Sequence, residues 1–174
     1  MPLTDKNPPD KIGLIDRLSG NFFDLLATSF GELMPLPQNL KDLINSAWVD
    51  GYPCLLATAG KDGPNISPKG SMLVFDDDHL AYWERSKRQA LENLGNDLRV
   101  VVMYANFKAQ RDGLVDSGFL RFYGTAELHE DGPVKDAIFA KLTKREQEHD
   151  GADKGIGVLI HIDRAADVRG KPIM

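Results

Sequence analysis

The stretch that decides the fold spans residues 65–99 and reads NISPKGSMLVFDDDHLAYWERSKRQALENLGNDLR. Its first part is rich in small, polar and β-branched residues, which favours an extended strand. In such a strand Lys69 and Ser71 point to the same face, because successive side chains alternate. The three aspartates at positions 76–78 indicate a turn, since short carboxylates bond nearby backbone N–H groups. Residues 80–83 then predict the return strand of a hairpin.

A short helix with a basic start follows this hairpin. Ser86 and Gln89 have the spacing of a capping box, and three leucines downstream supply an apolar side. The first turn of a helix carries unpaired N–H groups and the positive end of the dipole. Arg85, Lys87 and Arg88 surround that end and repel one another unless an anion binds. The fragment fits either a phosphate site or a basic turn exposed to solvent.

Length and charge restrict the class of protein. A chain of 174 residues is expected to form mainly one domain with a sizeable core. Hydrophobic residues make up 42% and charged residues 27%, which is typical of a globular protein. The net charge of −5 argues against a general nucleic-acid binder, because such proteins depend on neutralising phosphates.

Cysteine usage and the start of the chain predict the compartment. The single cysteine, Cys54, cannot form an internal disulfide and lies in an apolar run, so we expect a buried thiol in a reducing compartment. The first 30 residues contain four aspartates and no long apolar stretch. We therefore expect a cytoplasmic protein with neither a secretory signal nor a membrane span.

The remaining pattern predicts an antiparallel β domain. Residues 1–35 are interpreted as an N-terminal helical extension, with a helix over 12–30, and residues 36–174 as the main domain. Within that domain a second helix is expected near residues 40–51 and a third over 133–150. About six strands with short turns favour a mainly β (α+β), closed or nearly closed barrel with peripheral helices. The predicted strands are 52–59, 64–75, 80–83, 99–105, 118–128 and 157–163.

One face of the strand at residues 118–128 predicts a partner. Phe119, Arg121 and Tyr123 alternate with the residues of the other, core-facing side. This second face is too aromatic to be ordinary solvent surface. It is expected to pack on a second subunit, which predicts a homodimer.

The sequence gives no metal site and no catalytic residue. The four histidines are scattered, and their spacing does not assemble a set of metal ligands. The aspartates at 76–78 lack the loop length and the final glutamate of a calcium site. No serine lies in a nucleophile elbow.

Three segments, in this order, resemble the pyridoxamine 5′-phosphate oxidase-like family of FMN-binding split β-barrels. They are LLATAGKDGPNISPKGSMLVFDDDHLAYWERS at 55–86, ENLGNDLRVVVMYA at 92–105 and GFLRFYGTAEL at 118–128. The resemblance covers residues 36–163. It implies a homodimer with two FMN molecules, each lying in a groove between the subunits.

The resemblance also implies cofactor-binding residues. The flavin phosphate would be held by the segment after the hairpin, and the ring and ribityl chain would lie along the strand before it. The implied phosphate ligands are Arg85, Ser86, Lys87 and Arg88. Lys69 and Ser71 would line the ring and ribityl chain, and Tyr82 and Trp83 would lie where the return strand meets the cofactor.

The functional hypothesis is an FMN-dependent oxidoreductase that acts on a small molecule, with NADH or NADPH as a candidate electron donor. A cation such as Lys69 near the flavin would favour its reduced form. The alternatives are a flavin-binding or storage protein without turnover, and the same fold with a deazaflavin or haem. The C-terminal sequence DRAADVRGKPIM lacks the tryptophan of the arginine-rich signature that clamps the substrate phosphate in pyridoxamine phosphate oxidases. Vitamin B6 oxidation is therefore not expected.

Overall fold

A computed structural model describes residues 35–86 and 88–174, apart from the side chain of Asp150. The helix predicted over residues 12–30 and the phosphate ligand predicted at Lys87 lie outside the described residues. The described elements, in chain order, are α1 (Gln38–Ser46), β1 (Cys54–Gly60), β2 (Gly63–Lys69), β3 (Leu73–Val74), β4 (His79–Glu84), α2 (Gln89–Leu94), β5 (Arg99–Ala105), α3 (Phe107–Arg111), β6 (Phe119–His129), α4 (Gly132–Lys141), α5 (Lys144–Asp150) and β7 (Ile156–Asp167).

The strands form one antiparallel sheet that must curl. Its order is β2-β1-β5-β6-β7-β4-β3, so β2 and β3 lie at opposite edges although they are consecutive in the chain. Laid flat, six spacings would separate these edges by roughly 29 Å. The link from Lys69 to Leu73 spans at most about 15 Å. The sheet therefore bends round until its edges approach, and the prediction of a mainly β, antiparallel, nearly closed architecture with peripheral helices is confirmed.

The strand predicted over 64–75 is divided into β2 and β3, because the chain leaves the ladder between them. Ser71 lies in this break and bonds the backbone of β4 through its side chain. Its hydroxyl donates to the carbonyl oxygen of Trp83 at 3.1 Å and accepts from the Trp83 N–H at 3.0 Å. The side chain thus satisfies the two backbone groups that lie just beyond the pairing of β3 with β4.

Two apolar clusters of described residues stabilise the sheet. The larger one contains Leu56, Tyr82, Val102, Phe122 and Ile160, each fully buried. The smaller one brings Trp83 and Leu159 against Ile138 of α4. Cys54 belongs to the larger cluster and is 1% exposed, which confirms the prediction of a buried thiol. Burial raises the pKa of the Cys54 thiol to about 12, so it is protonated at neutral pH.

The C-terminal part differs from the predicted boundaries. Strand β7 continues to Asp167, four residues beyond the predicted end, because Ala165 and Ala166 are buried and pair with β6. The helix predicted over 133–150 is divided into α4 and α5, and Thr143 caps the second by accepting from the Glu146 N–H at 3.3 Å. None of the helices in the described part of the chain is long and apolar enough to cross a membrane.

Candidate functional site

The ends of β2 and β4 meet through a buried ion pair. Lys69 is the last residue of β2, and its ammonium donates to Glu84 Oε2 at 2.6 Å at the end of β4. The side chains of Lys69 and Glu84 are only 10% and 2% exposed. Tyr82 lies two residues before Glu84 and shares its face of the strand, and its ring centroid is 4.6 Å from the Lys69 ammonium. The pair is therefore enclosed between the strands.

The second oxygen of Glu84 holds the segment that follows β4. Glu84 Oε1 accepts from the Ser86 N–H at 2.8 Å and from the Ser86 hydroxyl at 2.7 Å. Burial raises the pKa of Glu84, but hydrogen bonds from Lys69 and Ser86 and the positive charge of Lys69 outweigh it, so the pKa lies below its usual value. Glu84 is thus an ionised carboxylate that joins β2 to the segment of residues 85–88, which we call the basic segment.

The basic segment adopts a different form from the predicted capping box. Helix α2 begins at Gln89, and its N-cap is Arg88, which makes no capping hydrogen bond through its side chain. Because Ser86 bonds Glu84 instead of the first turn, the capping-box prediction is wrong. The helix has only six residues, so its dipole adds little to anion binding at this end.

The predicted phosphate ligands divide into two groups. Arg85 donates to the carboxylate of Glu146 in α5 and to the Glu146 carbonyl oxygen, the latter at 3.3 Å. Arg88 is exposed and forms no ion pair with another described residue. Arg88 is therefore the described cation of this segment with the greatest freedom to meet an anion.

The side chains of Tyr82 and Trp83 lie on opposite faces of β4, because successive side chains of a strand alternate. The Trp83 side chain lies in the smaller cluster, with its ring 5.2 Å from that of Phe139. Its Nε1 is buried without a hydrogen-bond partner in the described structure. The structure thus brings Lys69, Tyr82 and Ser86 together around Glu84, but it places the Trp83 side chain on the opposite face. Trp83 contributes its backbone to the site, through Ser71.

Two buried hydroxyls beside the ion pair lack partners. Ser67 lies two residues before Lys69 on the same face of β2, and its Oγ is buried with no hydrogen bond to the described residues. The Tyr82 hydroxyl is in the same condition. Burial, and secondly the negative charge of Glu84, raises the pKa of Tyr82, so this hydroxyl keeps its proton. Buried polar groups are normally bonded, and a polar ligand would satisfy both.

Sequence reasoning missed the two carboxylates of this site. Glu84 could have been found, because its spacing from Tyr82 places both side chains on one face of a strand. Glu146 could not, because it lies 61 residues from Arg85 in sequence.

Two of the four histidines, which appear scattered in the sequence, meet at the other end of β4. His79 and His161 are directly paired between β4 and β7, with ring centroids 5.1 Å apart. His79 Nδ1 lies 2.8 Å from Asp76 Oδ1 and 2.7 Å from Asp78 Oδ1. Burial raises the pKa of Asp76, but the hydrogen bonds with His79 and Asp78 lower it by more. The pKa of Asp76 therefore lies below its usual value. These groups form a polar cluster at the turn.

A well-formed cavity of the described residues lies elsewhere. It has a volume of about 540 Å³ and is lined by residues around Leu40, Leu120 and Ile173. None of the seven predicted cofactor residues that the structure describes lines it. This cavity is therefore separate from the Lys69–Glu84 site.

Comparison with known proteins identifies the family. The family described as pyridoxamine 5′-phosphate oxidase matches residues 36–165. No curated protein sequence matches the chain significantly.

Solved structures show the same fold. HupZ of Group A Streptococcus is 28% identical with a TM-score of 0.59, and the match covers 79% of this chain and 97% of HupZ. A Lactobacillus delbrueckii protein named for pyridoxamine 5′-phosphate oxidase is 26% identical with a TM-score of 0.53, covering 75% of this chain and 93% of that protein. General stress protein 26 of Bacillus anthracis, at 15% identity and a TM-score of 0.50, covers 74% of this chain and 93% of its own and shares the fold alone. The curled antiparallel sheet is thus a split barrel, and the chain belongs to the pyridoxamine 5′-phosphate oxidase family.

Proposed function

We propose that the protein binds FMN at the Lys69–Glu84 site and is an FMN-dependent oxidoreductase acting on a small molecule. The observation that carries the proposal is the buried ion pair beside two buried hydroxyls without partners, those of Ser67 and Tyr82. A polar ligand at this site would supply the hydrogen bonds that these buried groups lack. Membership of the family supports a flavin as that ligand.

The residues present fit FMN at both of its ends. Lys69 offers its partly exposed ammonium to the polar edge of the ring system and the ribityl chain. The Ser67 and Tyr82 hydroxyls are enclosed by protein atoms, so they would join it only when neighbouring side chains move. Arg88 offers an exposed guanidinium, which suits a phosphate because its planar fork binds two oxygens. Lys87 is proposed as a second phosphate ligand from the sequence alone. When bound, FMN supplies two-electron transfer, while the chain supplies position and electrostatics.

A homodimer is part of the proposal. The β6 face that contains Phe119, Arg121 and Tyr123 remains half-buried in the single subunit, and Arg164 lies 3.5 Å from the centroid of the Tyr123 ring. On the edge strand β2, Ile66 is 69% exposed. Apolar side chains on a sheet edge and face support contact with a second copy.

The first test is the purified protein itself. We expect it to be a dimer by light scattering, to carry the two-band absorption spectrum of a flavin, and to bind added FMN more tightly than riboflavin. A Soret band would indicate haem in place of flavin. A protein that binds no FMN as a dimer would contradict the proposal.

The second test separates an enzyme from a storage protein. NADH and NADPH are added to the FMN-loaded protein without air, and the flavin absorption is followed. In an oxidoreductase that uses these donors, the reduced nicotinamide would supply a hydride, two electrons with one proton, to the flavin and would be released oxidised. A storage protein would be favoured if neither donor reduces the bound FMN. In that case other small reductants should also reduce bound FMN no faster than free FMN.

A further inference from the structure

We infer that Glu84 is a positioning residue that fixes Lys69 for the bound flavin and cancels most of its charge there. The inference rests on the proposed binding of FMN at this site. It assigns a role to a carboxylate that the sequence does not single out, and it predicts how the flavin potential depends on one ion pair.

The first step is geometric. A lysine side chain has four flexible methylene groups, so its ammonium does not stay in one position unless a partner holds it. Here Glu84 Oε2 holds the Lys69 ammonium at 2.6 Å, over the Tyr82 ring. Glu84 is itself fixed, because its other oxygen accepts two hydrogen bonds from Ser86. The carboxylate therefore sets where the ammonium stands relative to both β4 and the basic segment.

The second step is electrostatic. Lys69 and Glu84 are almost fully buried, so water screens their charges weakly. An isolated buried ammonium would favour the reduced flavin, which is more negative than the oxidised form. A carboxylate at 2.6 Å turns that cation into a nearly neutral dipole. The flavin should therefore have a lower reduction potential than an unpaired Lys69 would give it.

A purely structural role makes a different prediction. If the pair only joins β2 to β4, removing it lowers the stability of the protein. It also lowers the affinities for oxidised and reduced FMN by the same factor. If Glu84 controls the charge of Lys69, the ratio of the two affinities changes. The reduction potential of bound FMN measures this ratio without requiring turnover.

The experiment compares Glu84→Gln with wild-type protein by anaerobic potentiometric titration of bound FMN. Glutamine keeps the size of Glu84 and an acceptor for Ser86 but removes the charge. We expect the preference for reduced over oxidised FMN to rise about tenfold, which is roughly 30 mV for a two-electron couple. Glu130→Gln is the matched control, because this carboxylate is exposed and makes no side-chain hydrogen bond to another described residue. It should leave the potential unchanged.

Lys69→Met completes the test, alone and combined with Glu84→Gln. Lys69→Met leaves Glu84 unmatched and should shift the potential to more negative values. The double variant contains no buried charge at the pair, so it is expected to fold even where Glu84→Gln does not. Its potential should lie above that of Lys69→Met and close to that of wild type.

The outcomes are distinguishable. Wild-type protein that binds no FMN would overturn the proposed function and this inference with it. FMN binding with the same potential in Glu84→Gln and Glu130→Gln would overturn the inference and leave the proposed function standing. Equal potentials in Lys69→Met and the double variant would do the same.

Discussion

Ser71 and Trp83 are joined twice, since the Ser71 hydroxyl both donates to and accepts from the Trp83 backbone, at 3.1 and 3.0 Å. This side chain stands where a longer β3 would have paired with β4. Just beyond it, the Lys69 side chain reaches Glu84 from β2. The last two residues of β4 are therefore bordered on this side by the side chains of Ser71, in the link between β2 and β3, and of Lys69, at the end of β2.

The two hydrogen bonds between Ser71 and the Trp83 backbone predict that Ser71→Ala destabilises the folded protein. Removing the hydroxyl leaves a buried N–H and a buried carbonyl oxygen of Trp83 without a partner, so we expect the free energy of unfolding to fall by about 2 kcal/mol. Urea denaturation measures this loss. Ser67→Ala is the control, because the Ser67 hydroxyl has no hydrogen-bond partner among the described residues. Equal losses in the two variants would contradict the assignment.

The Lys69–Glu84 pair predicts a specific dependence of stability on acid. Because the pKa of Glu84 is lower in the folded state than the usual value of about 4.3, its stabilisation is fully present above that pH. It is lost as the pH falls through the lower folded pKa. In the variant with both Lys69→Met and Glu84→Gln, the free energy of unfolding should therefore decrease less between neutral and acid pH.

Urea denaturation across this pH range provides the measurement. Glu130→Gln is the comparison, because this exposed carboxylate makes no side-chain hydrogen bond to another described residue. An exposed carboxylate of this kind contributes little to stability, so this variant should keep nearly the full acid dependence. If the double variant keeps it as well, the pair is not a source of acid sensitivity.

Arg88 tests how FMN is oriented. If its guanidinium binds the phosphate, Arg88→Ala should weaken FMN by roughly ten- to a hundredfold and riboflavin much less, since riboflavin has no phosphate. Lys69→Ala should weaken both ligands similarly. Fluorescence titration with each ligand checks this, with the exposed Arg111→Ala as the control. Equal weakening of FMN and riboflavin by Arg88→Ala would place the phosphate elsewhere.

Gly155 tests the structural role of the Trp83 side chain. A Cβ at this position would lie 2.0 Å from Trp83 Nε1, so Gly155→Ala must displace the indole. We expect a loss of about 1–3 kcal/mol in unfolding free energy and a changed tryptophan fluorescence spectrum. Gly95→Ala is the control, because its nearest contact would be an ordinary 3.4 Å. Trp83 packs on the face away from Lys69, so FMN affinity should change little in molecules that remain folded.

The sequence predicts the strands, but it does not separate the two faces of β4. The family resemblance implies both Tyr82 and Trp83 at the cofactor, and a strand places neighbouring side chains on opposite faces. The same alternation pairs Tyr82 with Glu84, so this part of the site was predictable from spacing alone. The strand break after Lys69 was not, because it arises where the sheet curls and its edges approach.

Contacts between distant segments were beyond sequence reasoning for a different reason. Arg85 was expected to repel its basic neighbours until an anion bound, but Glu146 of α5 supplies a carboxylate from the same chain. His79 and His161 are likewise adjacent through the order of the strands and not through sequence spacing. Such pairings depend on topology, which a single sequence does not specify.

The break between β2 and β3 has a mechanical consequence. Neighbouring strands of the sheet are joined by backbone hydrogen bonds. Between the end of β2 and the end of β4, a boundary that we call the seam, the contacts are instead made by the side chains of Lys69 and Ser71. Such side-chain hydrogen bonds can break one at a time while the backbone hydrogen bonds between strands remain. Amide exchange at Trp83 would therefore report how often the seam opens, and a ligand that tightens it should slow that exchange.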